Sequence, residues 1–193
     1  MKSIIRKEKS TLENKKDFYQ TNPYMVKSLV NWLKKNNFPA GSKVLDPCCG
    51  QGVISEGLKD FFFDVTAYDK YTGEETKDFL DETEHFDMIV CNPPYSDKYN
   101  FIKHSRKLAK HVFVLMPLLT SCYNMVTREY EDIPEFVGRL QMVPKMFLDE
   151  TTDWKPGGNS QYCWYYWKQE HNTDFAKTWY DDLLVYKLED DKT

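Results

Sequence analysis

Four short apolar runs constrain this chain most. They are KVLD at 43–46, DVTAYD at 64–69, the run inside EHFDMIVC at 84–91, and HVFVLMP at 111–117. Runs of this length, bounded by turn residues, read as buried strands rather than helices. Helix-type segments lie between them: VISEGLKDFF follows the first run, and a basic stretch at 97–110 precedes the last. Such alternation predicts an α/β fold with a mostly parallel sheet covered by helices. Upstream, Asn22 before Pro23 reads as an N-cap with proline at the first helical position. Met25, Leu29, Trp32 and Leu33 then fall on one helical face, and Lys34 and Lys35 suit the C-terminal end of the dipole.

Beyond residue 118 the pattern changes. GRLQMVPKMFL (138–148) and QYCWYYWKQ (161–169) are β-rich and flank a polar loop, TTDWKPGGNS. They predict a C-terminal antiparallel hairpin at the sheet edge. Strand alternation within it puts half of Trp164, Tyr165, Tyr166 and Trp167 in the core, and leaves the other half for contact with a base or a backbone. Residues 172–193 fit strand or helix equally. Residues 1–17 are predicted to be a mobile basic arm, and 18–193 a single domain.

The net charge is −4, against the usual basic balance of a nucleic-acid binder, but the charges are unevenly placed. Residues 1–35 carry nine Lys and Arg against three acids; residues 64–87 carry nine acids against two lysines; residues 98–111 carry five Lys and Arg and no acid. An acidic block between two basic segments suits a cationic cofactor beside a polyanion, though solvated faces would look the same. Five cysteines without a CxxC pair predict free thiols in a reducing cytoplasm and no metal site. The longest apolar run, VFVLMPLL, has eight residues, against about 20 for a membrane span. No membrane association is expected, and the oligomeric state stays open.

Ligands of open α/β sheets bind beyond the carboxyl ends of the strands. Three features fall at such ends: Asp46 with the Gly50–Gln51–Gly52 loop, Asp69, and the stretch IVCNPPY at 89–95. The loop lacks both the GxGxxG spacing and a following Gly-Lys-Ser/Thr, so it is not built for a dinucleotide or a nucleoside triphosphate. Backbone that approaches a ligand without holding phosphate suits S-adenosylmethionine. Asp69 is placed to accept both ribose hydroxyls, Asp78 to take the adenine amino group, and Phe79 to lie against the ring. Pro93 and Pro94 fix the backbone and remove two donors, which makes a rigid platform rather than an ordinary turn.

In these residues the chain resembles the amino-methyltransferases that use S-adenosylmethionine, most of all the small phage-type DNA N6-adenine methyltransferases. The resemblance covers roughly Phe18 to Lys168. FYQT at 18–21 is similar to the N-terminal motif of that family, which implies that Phe18, Tyr19 and Thr21 contact the cofactor, the threonine at its methionine part. LDPCCGQG at 45–52 is similar to the glycine motif, which brings Asp46, Pro47, Cys48, Gly50 and Gly52 to the cofactor. Asp69 and DFL at 78–80 match the ribose and adenine contacts. NPPY at 92–95 matches the catalytic motif in full, with Asn92 touching cofactor as well as acceptor. NSQYCWYYWK resembles the aromatic strand that closes the fold, and the motif order is that of the gamma type. The resemblance implies a Rossmann-like fold, a cytoplasmic site in a bacterial or phage-infected cell, and methylation of a flipped adenine in DNA. NPPY itself is compatible with RNA adenine or a glutamine side chain, and a non-catalytic partner of the same fold is a further alternative. Cytosine-N4 enzymes commonly carry Ser where this chain has Asn92.

The chemistry explains the residue types. An exocyclic amino nitrogen is a poor nucleophile, because its lone pair is delocalised into the ring. The Asn92 side-chain carbonyl and the Pro93 backbone carbonyl, accepting both amino hydrogens, would localise that lone pair toward the methyl donor. Tyr95 would stack on the extruded base. The basic segment (Lys98, Lys103, Arg106, Lys107) and the loop around Trp154 and Lys155 are candidate nucleic-acid contacts, within a recognition segment at about 118–162.

Overall fold

A computed structural model describes residues 20–62, 64–72, 76–117, 136–141, 147–148, 162–169 and 179–184. The predicted arm at 1–17 lies outside them, as do Phe18, Tyr19, Trp154, Lys155 and most of 118–162. In chain order the elements are β1 (Gln20–Thr21), α1 (Pro23–Lys35), β2 (Lys43–Asp46), α2 (Val53–Lys59), β3 (Asp64–Ala67), a 3-10 turn (Phe79–Asp81), β4 (Phe86–Cys91), α3 (Lys98–Leu108) and β5 (Ala109–Pro117). They continue with β6 (Phe136–Gln141), β7 (Phe147–Leu148), β8 (Tyr162–Lys168) and β9 (Trp179–Leu184).

Among the described residues, seven strands form one sheet in the order β3-β2-β4-β5-β8-β6-β9, and β1 pairs with β7 in a separate two-stranded ribbon. Strands β3, β2, β4 and β5 are parallel, whereas β8 runs antiparallel to both β5 and β6. The α/β reading and its antiparallel C-terminal pair are therefore present, with two corrections. The apolar run 138–148 is not one strand: its first part is in β6, and Phe147–Leu148 pair instead with Gln20–Thr21. The hairpin is also not the edge, because β9 adds parallel to β6 outside it.

Local chemistry sets the first helix. Asn22 Oδ1 accepts the Tyr24 amide at 2.9 Å, and Pro23 fills the next position, where no amide is needed. Met25, Val26, Leu29, Val30 and Leu33 are all buried. The Trp164 indole N–H donates to the Met25 carbonyl at 2.9 Å and fastens α1 to the sheet. α2 lies close against α1: a Cβ on Gly57 would meet Val26 Cγ1 at 2.6 Å, so a side chain there would force the helices apart.

Two apolar clusters cover the two sheet faces. Residues of α1 and α2 pack with Val44, Met88, Phe113, Leu115, Trp164 and Tyr166 on one side. Phe101, Ile102 and Leu108 of α3 pack with Leu45, Ile89, Val112, Val114, Tyr165 and Trp167 on the other. This explains the aromatic run and corrects the expectation that half of it faces a ligand. Its side chains do alternate, but β8 is an interior strand with both faces covered, so all four rings are buried. His111 is half-buried, its Nδ1 paired with the Tyr166 hydroxyl at 2.8 Å. No helix among the described residues is long and apolar enough to cross a membrane.

Candidate active site

The chain runs from β2 outward to β3 and then returns to β4 on the opposite side of β2. The direction of winding thus reverses between β2 and β4, and the crevice beyond their carboxyl ends is where such sheets bind ligands. Asp46 ends β2 and Asn92 directly follows β4. The register aligns Asp46 with Ala67 and Leu45 with Ile89, so Asp69 belongs to the same rim.

The glycine loop is tied down from both sides. The Gly52 amide donates to the Cys49 carbonyl at 2.7 Å, and Gly50 (φ 52°) and Gly52 (φ 82°) take the left-handed conformation that side chains disfavour. The Cys49 amide donates to the Tyr68 carbonyl, and the Tyr68 amide to the Asp46 carbonyl. Asp69 closes the arrangement. Its Oδ2 accepts the Gly50 amide at 3.1 Å, and its Oδ1 accepts the amides of Tyr71 and Thr72 at 2.8 and 3.1 Å. A carboxylate has about four acceptor sites, so Oδ2 keeps capacity for a ligand hydroxyl.

Asp46 is the electrostatic anomaly of the site. It is fully buried, and neither carboxyl oxygen has a hydrogen-bond partner. Burial raises its pKa from the ordinary 3.8 to about 8; the Cys48 and Ser55 amides oppose the rise without closing a bond of normal geometry, and Asp69 adds to it. An unsatisfied buried carboxyl of this kind costs stability unless something else claims it. A cationic amino group at the loop would do so. The cysteines beside it are held as protonated thiols: burial, then the neighbouring Cys91 thiol, hold Cys48 well above the usual thiol range, and burial pushes Cys49 up to about 11.

The diproline segment carries a connected set of polar groups. The Asn92 Nδ2 donates to Thr21 Oγ1 at 3.1 Å, and the Tyr95 hydroxyl donates to Asn92 Oδ1 at 3.1 Å. The Tyr95 ring lies 6.4 Å from that of Tyr162 at an interplanar angle of 32°. The Asp97 amide caps the Pro94 carbonyl at 3.0 Å, and Lys98 Nζ donates to the Tyr95 carbonyl at 3.1 Å. The turn therefore leads straight into α3 and is held at both ends.

Other sequence-predicted residues lie around this centre or on α3. Asp78 caps the 3-10 turn through the Leu80 amide and pairs with Lys70, which holds its carboxyl below the ordinary value. The Phe79 ring is only 1% exposed and packs against Phe101 and His104, so it presents almost no surface to a ligand. Lys98 serves the NPPY turn and covers the Tyr99 ring, whereas Lys103 and Lys107 are exposed on the outer face of α3 and Arg106 is half-buried.

Sequence reasoning missed Glu82. This buried residue accepts from the Tyr68 hydroxyl and Lys77 Nζ, both at 2.8 Å, and from the amides of Thr83 and Glu84. It braces Tyr68, and through it the glycine loop. Its position in a nine-acid stretch hid it among surface charges.

No family model matches the chain, and no curated protein does. Solved structures do resemble it. PH1948 of Pyrococcus horikoshii, described as an RNA methyltransferase, superposes with a TM-score of 0.62 at 13% identity, covering 79% of this chain and 87% of that one. The S-adenosylmethionine-dependent O-methyltransferase TM0748 of Thermotoga maritima gives 0.56 at 12%, covering 83% and 71%. The 23S rRNA methyltransferase ErmE gives 0.53 at 12%, covering 80% and 70%. At these identities the likeness establishes the fold, the Rossmann-like fold of S-adenosylmethionine-dependent methyltransferases. It does not choose an acceptor, since these proteins carry different ones in their names; the acceptor has to be argued from the site.

Proposed function

We propose that this protein transfers the methyl group of S-adenosylmethionine to the exocyclic N6 amino group of adenine in DNA. One observation carries the reading: an Asn92 amide set by the diproline turn at the end of β4, on the same sheet rim as the glycine loop and its unpartnered Asp46 carboxyl. The fold supports the cofactor, and the resemblance in NPPY supports the acceptor.

The residues divide the work as follows. Asp46 takes the cationic amino group of the cofactor and gives up its own proton in doing so. Gly50 and Gly52 let the backbone approach, with Pro47 and Cys48 beside them. Asp69 accepts the ribose hydroxyls. Asp78 stands near the adenine end, and its carboxylate is shared with Lys70. The bound cofactor supplies a methyl group on a sulfonium, which leaves as a neutral thioether. Asn92 Oδ1 and the Pro93 carbonyl accept the two amino hydrogens as positive charge develops on nitrogen. Neither is basic enough to keep a proton, so the proton passes to solvent. The Tyr95 ring stacks on the extruded base. Exposed Lys103 and Lys107 contact phosphate, with Arg106 beside them, and residues at about 118–162 read the target, with Trp154 and Lys155 among them.

Calorimetry and turnover on two variants test this. Asp69→Ala weakens cofactor binding. Asn92→Ala leaves binding nearly intact and abolishes transfer. A wild-type protein that binds no S-adenosylmethionine would mark the chain as a non-catalytic member of the fold, and retained turnover in Asn92→Ala would remove Asn92 from its role.

A further inference from the structure

We propose that Thr21 is a positioning residue for this reaction: its hydroxyl anchors the Nδ2 end of the Asn92 amide while Oδ1 accepts from the acceptor nitrogen. The inference rests on the reading of Asn92 given above and deepens it. Thr21 is 5% exposed, on the two-residue strand β1, and is 71 residues away from Asn92 in sequence.

A carboxamide is nearly symmetrical in shape, so packing alone does not choose between its oxygen and its nitrogen; a hydroxyl partner, which donates or accepts, does not choose either, and the N–H groups of the acceptor do. The choice matters because an aromatic amino group offers only N–H donors in its plane. Oδ1 accepts one of them, whereas Nδ2 in the same place would set donor against donor and leave both unmet. A hydroxyl meets each end of the amide, that of Tyr95 at Oδ1 and that of Thr21 at Nδ2. Either accepts or donates by rotating, but their fates differ once an acceptor arrives. The Tyr95 bond ends on the oxygen that the substrate needs and is the one exposed to competition. The Thr21 bond is at the opposite end of the amide and persists. As Oδ1 accepts a substrate N–H, the amide polarises and Nδ2 becomes a better donor to Thr21, so the hold tightens during the reaction.

The family resemblance gives Thr21 a different task, contact with the methionine part of the cofactor. The two tasks separate in a pair of variants. Thr21→Val keeps the shape and removes the acceptor; Thr21→Ser keeps the hydroxyl. The positioning role predicts that Thr21→Val lowers kcat by about 100-fold, the scale of a reacting group displaced from its geometry, with the cofactor Kd little changed. Thr21→Ser restores most of that loss. A Thr21→Val protein with raised cofactor Kd and normal kcat at saturation would overturn the proposal in favour of cofactor contact.

A second readout needs no turnover. The side-chain amide resonances of Asn92, identified by their loss in Asn92→Asp, are predicted to exchange slowly with solvent in the wild type and in Thr21→Ser, and quickly in Thr21→Val. Unchanged exchange in Thr21→Val would overturn the proposal. If the wild-type protein methylated nothing, the proposed function would fall, while this exchange measurement would still decide whether Thr21 holds Asn92.

Discussion

The Tyr95 hydroxyl donates to Oδ1 of Asn92 across 3.1 Å. The oxygen assigned to accept a substrate hydrogen is thus already engaged by the residue assigned to stack on the same substrate. The two roles of Tyr95 are separable. Tyr95→Phe keeps the ring and removes only the hydroxyl bond to that oxygen, so turnover is expected within about tenfold of wild type. Tyr95→Ala removes the ring as well and is expected to lower kcat/KM by a further 10- to 100-fold or so, corresponding to the roughly 1–3 kcal/mol of base–aromatic stacking. Steady-state kinetics on both variants check this, and equal losses would deny the ring a stacking role.

Asp46 links stability to cofactor binding. Its folded pKa of about 8 lies above the ordinary 3.8, so the folded chain holds a proton that the unfolded chain releases between those values. Stability of the ligand-free protein therefore falls as pH rises through that window. Asp46→Asn is expected to flatten this dependence and raise the melting temperature near pH 8. The same substitution removes the counter-charge for the amino group of the cofactor and weakens binding. In the wild type, affinity for S-adenosylmethionine should rise with pH up to about 8, with proton release on binding. Calorimetry in buffers of different ionisation enthalpy reads that release directly.

Glu82 gives the opposite slope. Burial alone would raise its pKa, but Lys77, the Glu84 amide, the Tyr68 hydroxyl and the Thr83 amide outweigh it and lower the value from 4.5 to about 2. The stability it contributes is present above pH 4.5 and is lost as pH falls toward 2. Glu82→Gln should make acid unfolding less steep, and lower stability at neutral pH by about 1–3 kcal/mol, because Lys77 and Tyr68 lose a charged partner. Denaturant titrations at pH 7 and pH 3 distinguish this from a uniform loss.

The parts of the fold that were legible in the sequence are those set by local chemistry. Asn22 and Pro23 mark the start of α1 because cap and proline act within one turn. The strands KVLD and HVFVLMP announce themselves as short apolar runs. The aromatic run of β8 misled, because alternation reports one buried face and an interior strand has two. β9 went unread for a related reason: WYDDLL places two acids in a strand whose pairing with β6, more than 40 residues upstream, leaves no local trace. At the site, residue types were legible and partners were not. Asp78 carries the adenine assignment by motif, yet Lys70, eight residues earlier, shares its carboxylate. The Thr21–Asn92 bond spans 71 residues and exists only because the fold brings β1 to the turn that follows β4.

The most direct test of the account is to incubate the protein with labelled S-adenosylmethionine and unmethylated DNA, digest the product, and identify its nucleosides by mass spectrometry. The account predicts N6-methyladenine, absent when Asn92 is replaced by Ala. Label appearing instead in RNA or in protein glutamine under the same conditions, with none in DNA, would contradict the DNA assignment. Label in no acceptor at all, from a protein that binds the cofactor, would contradict the catalytic role of the NPPY turn.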